Sequence, residues 1–274
     1  MQKRIITAVI AVPLIILLVR FSPPAVFFAA LVGVTVLALK ELFGMMIVDE
    51  PAVGRWSAVG LGCLVPLAVF AGGAGNGEDP FFLLSAVLVF CFVVFFCYHI
   101  TLPGKYENAF PVISAKFFGT VYIPALFSYL LLIRAFPRGG EWLLFLLFVT
   151  WAGDSGAYFT GTWIGKKPLA PKISPNKTVE GAVGSFVTGI AVAVLCRALF
   201  LNAIPLAGCV LLGMGINVFN QFGDLAESKI KRAYRVKNSG TLIPGHGGVL
   251  DRIDSLLFAA PFLYYCLKVF DISL

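Results

Sequence analysis

The chain has 274 residues, 59% of them hydrophobic and 13% charged, with a mean hydropathy of +0.93. No ordinary soluble domain is that apolar, so composition leaves an all-α integral membrane protein, and at ~20 residues per span little chain remains for a soluble module. The net charge of +7 does not point to nucleic acid. The aromatic residues lie in the apolar runs, not among the basic loops, and positive cytoplasmic loops account for the charge.

Hydropathy divides the chain into nine spans: 5–21, 25–46, 56–71, 81–100, 119–136, 142–160, 179–200, 206–223 and 255–270. The first has the basic start and apolar middle of a signal peptide, but no small-residue cleavage site follows, so it is read as retained. The second ends near Lys40 and Glu41. A Gly-rich turn at 71–80 precedes the fourth, and a loop with Lys105 and Lys116 follows it. The sixth contains Asp154. Alternating the spans from a cytoplasmic N-terminus puts 16 of the 21 Lys and Arg residues inside and 5 outside. That asymmetry predicts a cytoplasmic N-terminus and an outside C-terminus. It also puts both long polar stretches on the cytoplasmic side.

The cysteines at 63, 91, 97, 196, 209 and 266 all sit in apolar runs without a CxxC pair, and read as small buried hydrophobes. No internal repeat is apparent, which counts against a transporter built from inverted halves.

The longest polar stretch is Asn217–Ser255. Asn217, Asn220, Gln221, Asp224, Glu227, Ser228 and Lys231 recur at steps of three and four, so a single helix face carries them. Beyond a Pro244-Gly-His-Gly-Gly248 turn, Asp251, Asp254 and Ser255 share a second face. Three carboxylates can thus come from two helix ends, with Lys229, Lys231, Arg232, Arg235, Lys237 and Arg252 around them. Hard oxygen ligands beside many cations suit Mg²⁺ and a polyphosphate. The competing reading of Asp224, Asp251 and Asp254 is interfacial ion pairing with Arg232 and Arg252.

Ser228-Lys-Ile-Lys-Arg232, Lys237, Pro244–Gly248 and Asp251-Arg-Ile-Asp254 together resemble the signature of the CDP-diacylglycerol synthase (phosphatidate cytidylyltransferase) family. That family has Asp after the lysine where this chain has Asn238, so Asn238 is not carried over as a ligand. The segments Asp154-Ser-Gly-Ala-Tyr158 and Ser174-Pro-Asn-Lys-Thr-Val-Glu-Gly181 resemble the same family. An ionisable group inside an apolar span is costly and usually functional, which favours a role for Asp154 over mere packing. Small Gly156 and Ala157 after Ser155 allow close approach of another chain or a ligand. Thr178 is a candidate N-cap with Glu180 in the first turn, and free N–H groups there could hold a phosphate beside Lys177. His246 sits between glycines that let backbone N–H groups approach phosphate, and is read as a phosphate contact or turn residue.

The resemblance implies conversion of CTP and phosphatidic acid to CDP-diacylglycerol and pyrophosphate, in a membrane-lipid setting. It implies Asp224, Asp251 and Asp254 as ligands of two Mg²⁺ ions, or Mn²⁺, with Lys231 and Arg232 in the catalytic group. Asp154, Ser155, Ser174, Lys177, Glu180, Ser228, Lys237, His246, Gly247, Gly248 and Arg252 would contact substrate. It further implies a homodimer. Within a single membrane domain, 1–140 reads as scaffold and lipid contact, and 141–274 as the catalytic helices and loops. The alternatives are a CTP-dependent lipid or polyprenol kinase, separated by its product, and a secondary transporter using Asp154. The clustering of polar groups at one membrane face opposes the transporter.

Overall fold

The computed structural model describes residues 2–73, 79–101, 109–242 and 247–270, with side chains from Val9 onward. Ten α-helices carry nearly all of it: α1 (Gln2–Phe21), α2 (Pro24–Met46), α3 (Ala52–Gly73), α4 (Pro80–Thr101), α5 (Ala109–Thr120), α6 (Tyr129–Ala135), α7 (Gly139–Ile164), α8 (Val179–Phe200), α9 (Leu206–Ala233) and α10 (Leu250–Val269). Between α7 and α8, β1 (Pro168–Ala170) and β2 (Ser174–Thr178) form an antiparallel hairpin. The sequence reading left that segment as a loop.

Seven helical stretches among the described residues are long and apolar enough to cross a membrane, with α5 and α6 joined in one stretch, Ala109–Ala135. The protein is therefore an all-α, multi-pass membrane protein. The apolar part of α1, Val9–Phe21, is shorter, and α10 carries Asp251, Arg252 and Asp254 in its first turns.

The chain forms two compact units. The first holds residues 1–8, 22–132 and 238–252. In its most apolar window the stretch Ala109–Ala135 has 78% of its residues buried and α4 only 11%, and α4 turns Phe82, Val89, Phe90 and Val93 outward. Pro124 has no N–H to continue the α-helical ladder, and a π-helical turn, Val121–Ala125, surrounds it. Beyond it the Pro124 carbonyl accepts from both the Ser128 N–H, at 3.0 Å, and the Ser128 hydroxyl, at 2.6 Å.

Lys116 lies on α5 in this unit, not in the loop expected for it. It is buried and ion-paired with Glu50 at 2.5 Å, with His99 Nε2 3.1 Å from the ammonium. A lysine survives at such a place because a carboxylate neutralises it and an aromatic face, Tyr98, covers it at 4.5 Å. His99, at the end of α4, accordingly belongs to this buried cluster.

The second unit holds 9–21, 133–237 and 253–274. Here α7 and α8 pack through small residues. A Cβ on Gly156 would meet Thr188 Oγ1 at 2.1 Å and the Gly184 carbonyl oxygen at 2.8 Å. In lipid, where apolar surface gives no drive to associate, such close backbone approach and interhelical hydrogen bonds hold helices together. The Thr188 hydroxyl supplies one, donating across to the Ala152 carbonyl at 2.9 Å. The space beside Gly156 is therefore filled by α8, so of the two expected approaches, another chain segment or a ligand, it is the chain that comes close there.

Candidate active site

In the second unit, α9 presents the polar face that its sequence spacing predicts. Asn217 and Asn220 are buried on it. Asn217 accepts from Ser185 on α8 at 2.9 Å and donates to the Gly213 carbonyl at 2.8 Å. One turn on, Asn220 donates to Asp154 on α7 at 2.7 Å. Burying a polar face among apolar helices is costly unless its groups find partners; Asn217 and the Asn220 N–H do, while Asn220 Oδ1 has none among the described residues.

The same face continues into charges. Lys177, near the end of β2, places its ammonium 2.6 Å from Asp224. The Ser228 hydroxyl lies 3.4 Å from Asp224. Lys231 pairs with buried Glu227 at 2.5 Å. Helix α9 ends where Arg235 takes a left-handed conformation (φ 56) and the Val236 N–H returns to the Lys231 carbonyl. Lys231 and Arg232 thus sit in a last turn whose dipole favours cations. Arg232 also donates to the Ile173 carbonyl in the hairpin at 3.3 Å.

Asp254, on α10 ahead of the apolar stretch 255–270, is buried, and Gly223 of α9 gives it room. A Cβ on Gly223 would stand 2.5 Å from the Asp254 carbonyl oxygen. Its carboxyl is held well above the usual carboxylate range, first by burial, then by the charge of Asp224, with Asp154 adding to it. The Ser255 N–H, 2.7 Å from Oδ1, and Lys231 oppose the shift without cancelling it. Asp154, Asp224 and Asp254 therefore form one electrostatically coupled acidic group bordered by Lys177 and Lys231.

The first unit holds the third predicted carboxylate, Asp251. Its Oδ2 accepts from the Gly248 N–H at 2.8 Å and the Ser239 N–H at 3.2 Å. Gly247 has φ 82, and a Cβ there would meet Asp251 Oδ2 at 2.5 Å, so only glycine fits. Glu41 of α2, which the sequence reading left in the scaffold, reaches the same segment. It accepts from the Ser239 hydroxyl at 3.0 Å and from the Val249 and Leu250 N–H groups at 2.9 Å each. A carboxylate near the end of an apolar helix was the available signal for it.

Several expected residues take other parts. Glu180 accepts from the Lys166 and Lys167 N–H groups, tying the hairpin to α8. Thr178 caps α8 by accepting from Gly181 N–H at 3.1 Å, and Val179 N–H donates to the Lys167 carbonyl. Two of the N–H groups at the start of α8, those of Val179 and Gly181, are thus held from within the protein. Ser155 is exposed and its hydroxyl turns back to the Trp151 carbonyl at 2.8 Å. Ser174 lies on β2, and Lys237 and Arg252 are exposed. His246 lies outside the described residues. Among the described residues, no three His, Cys, Asp or Glu side chains converge closely enough to hold a metal ion.

These features define a class: a multi-pass helical membrane protein with a coupled acidic group bordered by lysines and arginines. The chain matches the Cytidylyltransferase family over residues 2–270, and it belongs to that family. It is similar to the phosphatidate cytidylyltransferase of Bacillus subtilis, 34% identical over 274 residues covering 99% of each chain. The enzyme of the same name from Haemophilus influenzae is 31% identical over 281 residues, covering 97% of this chain and 98% of the relative. That of Staphylococcus saprophyticus is 34% identical over 267 residues, covering 96% and 97%.

Proposed function

We propose that this protein is a phosphatidate cytidylyltransferase, joining CTP and phosphatidic acid to give CDP-diacylglycerol and pyrophosphate. The observation that carries this reading is the acidic group on α7, α9 and α10 beside Lys177 and Lys231, in a chain matched to the family from end to end. A membrane fold suits one substrate with two acyl chains and one that is water-soluble.

Nine spans follow from adding Val9–Phe21 and the apolar part of α10 to the seven long stretches. With the N-terminus in the cytoplasm, charge asymmetry puts the hairpin and the Asn217–Ser255 segment on the cytoplasmic side, where CTP is found. The bacterial source of the relatives supports the inner membrane as its location, and a homodimer is the expected assembly.

The residues fit a divalent cation. Asp224 and Asp254 offer hard oxygen donors, and the repulsion that Asp224 exerts on buried Asp254 is what a dication would relieve. Asp224 and Asp254 would hold Mg²⁺ or Mn²⁺; Asp251 is a candidate ligand by the family pattern alone. Bound there, the ion would supply positive charge to the phosphates of the nucleotide and the lipid.

In the reaction, a phosphate oxygen of phosphatidic acid forms a bond to the α-phosphorus of CTP. The bond from that phosphorus to the α–β bridging oxygen breaks, and the oxygen leaves with the electron pair on pyrophosphate. The nucleophile is already an anion, so no strong base is required. Lys177, Lys231 and Arg232 bind phosphate and neutralise the charge that develops on pyrophosphate. Asn220 holds Asp154 in place.

Phosphorus NMR of products formed by the purified protein from CTP and phosphatidic acid tests the reading. CDP-diacylglycerol with pyrophosphate is expected. CDP with a newly phosphorylated lipid would replace it with the kinase reading.

A further inference from the structure

We propose that Glu41 is a positioning residue for the start of α10, acting through three donors to set Asp251. The proposal rests on the reading of Asp251 as part of the catalytic site. Glu41 and its partners are about 200 residues apart in sequence, and all lie in the first compact unit.

One carboxylate satisfies a continuous strip of backbone. Its Oε1 accepts from Val249 N–H, and its Oε2 from Leu250 N–H and the Ser239 hydroxyl. The N–H groups at a helix start have no intrahelical acceptor, and a negative charge there also meets the positive end of the dipole. Ser239 is the link. Its hydroxyl goes to Glu41 while its own N–H goes to Asp251. Glu41 therefore fixes both ends of the loop that orients the Asp251 carboxylate.

The glycines around it carry an independent mark of the same arrangement. A Cβ on Gly240 would meet Glu41 Oε1 at 2.6 Å, and one on Gly248 would meet Glu41 Oε2 at 2.3 Å and Ser239 Oγ at 2.0 Å. Both positions leave the space that the Glu41 carboxylate fills.

Glutamine at 41 keeps one accepting oxygen but turns an NH₂, which cannot accept, toward another donor. Groups that orient a ligand from behind typically change metal affinity or activity by ~10- to 100-fold when altered. Glu41→Gln is expected to raise the Mg²⁺ concentration for half-maximal activity and lower kcat by about tenfold each, with KM for phosphatidic acid unchanged. Gly240→Ala, which displaces Glu41 without altering it, is expected to act in the same direction. The two changes together should cost little more than one, because they break the same contact.

Hydrogen exchange of the 239–252 amides, read without substrate or metal, is the second arm. Glu41→Gln should speed exchange at Ser239, Val249 and Leu250 by about tenfold, as expected when a charge-assisted bond is lost. Unchanged exchange in both variants overturns the proposal whatever the activity. So does faster exchange with a wild-type Mg²⁺ requirement and kcat. Absence of CDP-diacylglycerol from the wild-type protein would instead reject the proposed function, and the exchange arm would still decide the Glu41 contacts.

Discussion

The ammonium of Lys177 lies 2.6 Å from the Asp224 carboxylate, joining the end of the β1–β2 hairpin to the polar face of α9. Both side chains are partly exposed, so the pair itself contributes only ~0–1 kcal/mol to stability. Lys177→Gln should leave thermal unfolding in detergent nearly unchanged and lower CDP-diacylglycerol formation by ~10²-fold, the scale of losing one stabilising donor. Equal losses of stability and activity would make Lys177 a structural partner alone.

Asp254 couples activity to stability in the opposite sense. Its carboxyl is raised above the ordinary value of 3.8, so between 3.8 and the raised value the native state binds more protons than the unfolded chain. Stability without divalent cations should therefore fall as pH rises through that window. Asp254→Asn removes the charge that is costly to bury. It should stabilise the chelated protein at neutral pH by ~1 kcal/mol or more, since each pKa unit corresponds to ~1.4 kcal/mol, and flatten the pH dependence. Turnover should drop. Melting curves against pH with EDTA, for wild type and Asp254→Asn, measure it.

Asp251 separates a metal ligand from an ion pair. As a ligand, Asp251→Asn should cost ~10²-fold or more in rate at limiting Mg²⁺. Asp224→Asn should behave alike, and the double mutant should lose less than the product of the two. As an interfacial partner of Arg252, the change would cost only ~0–1 kcal/mol of stability and little activity. Turnover against Mg²⁺ concentration decides between them.

Gly156 tests the α7–α8 seam. Gly156→Ala places a methyl 2.1 Å from Thr188 Oγ1 and 2.8 Å from a carbonyl oxygen, so the helices must separate. Overpacking of this kind costs ~1–3 kcal/mol. The unfolding midpoint in detergent should fall. Combining it with Thr188→Ala should restore part of the loss, because one of the two obstructing groups is then gone.

The nine-span arrangement is tested by labelling. Ser239 is buried against Glu41, which makes it a poor reporter, whereas Lys172 in the hairpin is exposed. In a background without the six native cysteines, Lys172→Cys should react with an impermeant maleimide only from the cytoplasmic side. Labelling from the opposite side would reverse the topology.

Sequence by itself determined what is local. Hydropathy sums over neighbouring residues, so the long apolar helices were legible, as was the polar face of α9 from its steps of three and four. The Thr178 cap was legible too, because its partner, Gly181, is three residues away. Tertiary structure alone decided which side chains meet across the chain. Most of these helices are apolar on every side, as a lipid-embedded helix must be, so their sequences do not mark which face turns inward. That is why Lys116 reads as a loop lysine yet is buried on Glu50, and why the Gly156 gap belongs to α8. It is also why Glu41, a lone carboxylate in an apolar run, gave no hint of partners about 200 residues away. A buried charge must find a donor, but packing chooses which one.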